Sequence, residues 1–106
     1  MSAATIEENR RKAVEHLRTT KRKQGFGSLY NHETRCYCAL GHMGLAVGID
    51  AKKAYKDLEA PDAYGQIEDA FGLDGDLENA IFGLNDDAEA SLREIGDYLA
   101  NVWEIA

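Results

Sequence analysis

No stretch of the 106 residues reaches the roughly 18 to 20 consecutive apolar residues that a bilayer crossing needs. The longest weakly polar run, Cys36 to Ile49, is broken by His42 and three glycines, so no membrane association is expected. The opening segment, Met1 to Arg11, turns charged within a few positions and holds no apolar stretch of a secretory leader, which makes a cytoplasmic protein the expectation. Cysteine is scarce: Cys36 and Cys38 lie one residue apart, too close on an extended chain to pair comfortably. They build no disulfide framework, and reduced thiols fit the same compartment. Also missing are a P-loop, a dinucleotide-binding glycine fingerprint, a serine elbow and a His-Glu-x-x-His pattern. Their absence sets aside the common cofactor enzymes, and no cofactor is expected. No internal repeat or low-complexity segment is visible.

What is present is ordinary globular composition, 44% apolar and 29% charged, in a length that suits one domain spanning residues 1–106. A domain this small buries a modest share of its surface, so a homodimer that adds burial is one of two equal expectations. The net charge of −7 conceals a division. Residues 1–53 carry ten Lys or Arg against five Asp or Glu, whereas residues 54–106 carry two against fourteen. Opposite blocks of this kind either attract each other across the fold or present charged surfaces to partners, and net acidity argues against general nucleic-acid binding.

The pattern predicts a mainly α (α+β) fold, with five to six short helices packed around one small β-hairpin. Thr5 followed by Glu8 reads as a capping box, and Ile6, Ala13, Val14 and Leu17 recur at helical spacing, giving a first helix over about 5–22. Gly25 and Gly27 end it. Alternation from Phe26 to Cys38 about a polar Asn31-His32-Glu33-Thr34 connection predicts the hairpin at about 26–38. From Ala39 helix-compatible residues return, with Gly41, Gly44 and Gly48 on one side, where another element is expected to approach closely. Asp50 is placed to cap a helix over 51–58, and Pro61-Asp62 to start another that runs to Gly72. Asp74-Gly75-Asp76 reads as a turn before a helix over 77–84. Asp86 with Glu89 reads as the cap of the last helix, whose stripe is Ala88, Leu92, Ile95, Leu99 and Val102. Trp103 near its end reads as a docking residue.

Cys38 ends a strand and opens a helix, where free amides and the helix dipole can favour a thiolate. A nucleophile there needs a base, and the nearby imidazoles are His42, one helical turn on, and His32 in the hairpin loop. The competing reading is a buried, structural thiol. His32, Cys36, Cys38 and His42 also supply two imidazoles and two thiols within eleven residues, but their spacing is no familiar zinc knuckle, so no metal is assigned. Asp74, Asp76 and Glu78 lack the later positions of a calcium loop.

His16-Leu17-Arg18, Lys23-Gln24-Gly25-x-Gly27-x-Leu29, Tyr37-Cys38-Ala39-Leu40-Gly41, Leu84-Asn85-Asp86 and Ile95-Gly96-Asp97 stand in that order. Together they resemble small uncharacterised proteins of phages, prophages and some actinobacteria, which share a Cys-x-Leu-Gly segment and a later Asn-Asp before an amphipathic helix. The resemblance covers about residues 14 to 100, with the middle third matching poorly. It implies a shared fold and carriage by mobile elements, and no activity. Cys38, Leu40, Gly41, Asn85 and Asp86 match the pattern, and their expected role is one buried junction in which Asn85 and Asp86 cap a helix over Cys38.

Two functional readings follow. The first is an acidic accessory protein that binds, and in one form inhibits, a host or phage protein through its C-terminal half, with Asp62, Glu68, Asp69, Asp74 and Asp76 as contact residues. The second is a small cysteine-dependent enzyme using Cys38 with His42 or His32. A weaker third is a nucleic-acid module using the first helix.

Overall fold

The computed structural model describes residues 2–56 and 62–105. Helix α1 (Ala3–Thr19) starts at Ser2, whose Oγ accepts from the Thr5 amide at 3.2 Å. The expected cap at Thr5 is therefore a correction: Ser2 has the same capping chemistry one turn earlier. The helix also stops short of Arg22. Thr19 turns its hydroxyl back to the Glu15 carbonyl, Thr20 is extended, and the segment that follows lies along the hairpin.

The hairpin is shorter than the alternation suggested. Strands β1 (Tyr30–Asn31) and β2 (Cys36–Tyr37) pair antiparallel, Tyr30 opposite Tyr37 and Asn31 opposite Cys36. Asn31 holds the turn by accepting from the amides of Glu33 and Thr34, and Arg35 takes a left-handed φ of 59°. On the other side of β2 a parallel bridge joins Gln24 to Tyr37, with the Gly25 amide 2.7 Å from the Tyr37 carbonyl. So short a ladder holds only because helices pack against it.

Five more helices occur among the described residues: α2 (Ala39–Ala46), α3 (Ala51–Lys56), α4 (Ala63–Phe71), α5 (Gly75–Phe82) and α6 (Leu92–Val102). The expected end of α3 at Leu58, and Pro61 as a helix start, lie outside the described residues. Asp62 caps α4 through the amides of Tyr64 and Gly65, and α4 ends at Gly72 in the left-handed region, as its sequence signals predict. Asp74 caps α5 at the Leu77 amide, so the helix starts at Gly75, two residues before the expected start, and it closes in a π-helical turn, Gly83–Asp87.

Helix α6 starts at Ser91, not at Asp86. Ser91 Oγ accepts from the Glu94 amide, and the Glu94 carboxylate accepts from the Ser91 amide. Glu89 sits at a φ of 51°, which breaks any helix running through it and leaves Ala88 outside α6. Asp86-x-x-Glu89 and Ser91-x-x-Glu94 have the same spacing. The second forms the box because Asp86 is engaged elsewhere, as described below.

One core runs through all of this. Leu17 of α1, Leu40 and Met43 of α2, Ile67 and Phe71 of α4, Ile81 of α5 and Ile95 and Leu99 of α6 are almost wholly buried. Each such side chain contributes about 1.5–3 kcal/mol of burial. Val102, the last residue of the expected α6 stripe, stays 43% exposed. Trp103 docks as its position suggests: its ring stacks on Phe71, centroids 6.3 Å apart, and the Arg10 guanidinium lies 5.0 Å from its centroid. Of the three α2 glycines, Gly41 and Gly44 meet close backbone neighbours. Gly48 has open space around it and serves a turn with φ 84° instead. No described helix is long and apolar enough to cross a membrane.

Candidate functional site

Helix α2 begins directly after β2, so its first amides point towards the π-helical turn after α5. Asn85 fills that gap and is 1% exposed. Its Oδ1 accepts from the Ala39 amide at 3.0 Å and from Gln24 Nε2 at 2.7 Å. Its Nδ2 donates to the Gly25 carbonyl at 3.0 Å and to Asp86 Oδ1 at 2.7 Å. Asp86 Oδ1 also accepts from the Gly27 amide, and Gln24 donates further to the Ala90 carbonyl. One buried amide thus ties together the segment after α1, the start of α2 and the π-helical turn.

Cys38 is the N-cap of α2 and is 1% exposed, with Leu40 and Gly41 equally buried beyond it. Asn85 and Asp86 do meet the Cys38 segment, but the helix that Asn85 caps is α2 and not α6. Of the two readings of this thiol, its burial fits the structural one and runs against the thiolate. Burial pushes the Cys38 thiol up, and the nearby Asp86 carboxylate adds to that, although the amides of Gly41 and Leu40 pull the other way. Helix-start amides favour a thiolate only where water can also reach it.

The imidazoles have other partners. His42 is wholly buried, with Nε2 3.2 Å from the Lys23 carbonyl and Nδ1 3.1 Å from His16 Nε2. Both its ring nitrogens are engaged. His32 sits on the exposed hairpin loop, edge-on to Tyr30 at 5.2 Å. Cys36 is half-buried, donates to the Thr34 carbonyl at 3.2 Å and lines a surface groove of about 400 Å³ with Gln24 and Phe26. No group of three or more His, Cys, Asp or Glu side chains among the described residues is arranged to hold a metal ion. The two thiols are therefore expected to differ. In the native protein at pH 7.5 iodoacetamide labels Cys36, and Cys38 reacts only after unfolding; mass mapping that finds Cys38 labelled first contradicts its burial.

The proposed acidic contact residues divide by role. Asp62 and Asp74 are exposed helix caps, Asp69 and Asp76 are exposed on α4 and α5, and Glu68 is half-buried. Glu68 faces Glu78, whose carboxyl is pushed up by partial burial and then by the Glu68 charge. Among the described residues the ion pairs are Arg11–Glu7 and Lys12–Glu8, both within α1, and Arg18–Asp97 at 2.7 Å. Only the last joins the basic half to the acidic half. Arg10 is directed instead to the carbonyls of Phe71 and Gly72.

Sequence reading gave no role to Gln24 or His16, which complete the Asn85 and His42 networks. Their partners lie 61 and 26 residues away, a separation at which no local pattern operates. No family model, curated protein or solved structure matches this chain.

Proposed function

We propose that this is a small interaction protein that docks a basic surface of a host or phage protein through the acidic face of α4 and α5. The observation that supports it is a set of unneutralised carboxylates on α4 and α5: none of Asp62, Glu68, Asp69, Asp74 and Asp76 is ion-paired among the described residues, and Glu68 faces Glu78. Like charges held together cost stability in the free protein, and a cationic partner relieves that cost. The cations of α1 are largely engaged within the molecule, which weakens a nucleic-acid reading of that helix. The thiol-enzyme reading has less support, because Cys38 is buried with its thiol pushed up and His42 is committed to other partners.

The test is capture from host lysate by a tagged copy, at low and high salt. It is run alongside a variant carrying Asp62→Asn, Glu68→Gln, Asp69→Asn, Asp74→Asn and Asp76→Asn. Asparagine caps helices about as well as aspartate, so the change removes charge and keeps the fold. A specific partner is expected to lose about tenfold in recovery on going from 50 to 500 mM salt, and a similar factor with the variant. Recovery that ignores both changes overturns the reading.

A further inference from the structure

We infer that His16 and His42 form a two-proton latch, which takes up one proton without losing a bond and opens on the second. The argument is one of donors and acceptors. The Lys23 carbonyl can only accept, so His42 Nε2, 3.2 Å away, carries a hydrogen. In the neutral ring Nδ1 is then a lone pair, and His16 Nε2, 3.1 Å from it, is the donor. That leaves His16 Nδ1 as the pair's remaining basic site, on a ring that is only half-buried. A first proton settles there and every hydrogen bond survives. A second must go to His42 Nδ1, where it meets the His16 N–H donor to donor. His16 then has to leave, and the α1–α2 contact opens beside the extended segment that carries Lys23 and Gln24.

The surroundings sharpen the threshold. The groups acting on His42 are its own burial, the Lys23 carbonyl, His16 and the Arg22 cation after α1. Tyr37 of β2 lies 5.9 Å from its ring, with its hydroxyl held by Asp50 at 2.5 Å. No carboxylate of α4 or α5 is among the groups that act on it. Burial lowers both histidines, with Arg22 adding to the effect. A histidine whose native pKa is depressed stabilises the fold above its free value, near 6.5, and loses that contribution as the pH falls below it. Opening is thus an acid-side event.

Two measurements test the latch. In ring nitrogen spectra of the full chain at pH 8, both histidines are expected as the Nε2–H tautomer, and on acidification His16 titrates before His42. Finding His42 as the Nδ1–H tautomer, or titrating first, overturns the latch. The second is the urea midpoint between pH 7.5 and 5.5 for wild type and His16→Gln. The new amide can turn over and offer its oxygen to a protonated His42, so the variant's midpoint is expected to fall less than that of wild type. Equal falls in the two proteins also overturn the latch. If the variant does not fold, the spectra of the wild type decide.

Discussion

Gly41→Ala is expected to remove about 3 kcal/mol or more of stability, enough to leave a small domain largely unfolded. A Cβ built at Gly41 falls well inside contact distance of the Leu29 carbonyl oxygen, and lies 3.2 Å from the Leu29 carbonyl carbon and Tyr37 Cβ. The obstruction is backbone, so no rotamer change relieves it. It is also fixed, because the same carbonyl accepts from the Cys38 amide at 3.2 Å. Relief requires α2 to lift from the hairpin, which strains that bond. The intrinsic gain of alanine over glycine in a helix, about 1 kcal/mol, works in the opposite direction and is too small to offset the clash. Gly83→Ala is the control. Its Cβ meets nothing within 4 Å and its backbone is already helical, so a gain of up to about 1 kcal/mol is expected. Urea midpoints of the two variants check the pair of outcomes, and a Gly41→Ala midpoint at the wild-type value contradicts the close approach.

This glycine illustrates what the sequence carries and what it does not. Spacing alone marks Gly41, Gly44 and Gly48 as places where backbone comes close, yet only the fold separates the two that are pressed against neighbours from the one that serves a turn. Helix order was legible because periodicity reports burial directly: Leu92, Ile95 and Leu99 lie on one stripe and are all buried. Helix starts were less legible, because competent caps compete. Ser2 precedes Thr5 by one turn and Ser91 follows Asp86 by five residues, and local chemistry does not rank them. The placement of Cys38 between strand and helix was readable, but its protonation was not. That depends on burial and on Asp86, both supplied by distant parts of the chain.

Asn85→Ala is expected to cost about 3–5 kcal/mol, because it leaves several buried polar groups without partners at once. The Ala39 amide loses its acceptor, the Gly25 carbonyl its donor, and Gln24 keeps only the Ala90 carbonyl. The more discriminating change is Asn85→Asp, which preserves shape and the oxygen that accepts from Ala39 and Gln24. It replaces the donating nitrogen with an oxygen that faces the Gly25 carbonyl and the Asp86 carboxylate. At neutral pH that places acceptor against acceptor and a second negative charge beside Asp86, so a loss as large as that of alanine is expected. The pH dependence has a definite sign. A buried carboxyl beside a like charge has its native pKa raised, so the penalty is present above that pKa and fades as the pH falls towards the free carboxyl value. Unfolding curves of the two variants, each compared with wild type at pH 7.5 and 4.5, separate the cases. Asn85→Asp recovers part of its deficit at the lower pH, since a protonated carboxyl can again donate to Gly25, whereas Asn85→Ala does not. Equal deficits at both pH values for Asn85→Asp contradict the assignment of the side-chain nitrogen as the donor to Gly25.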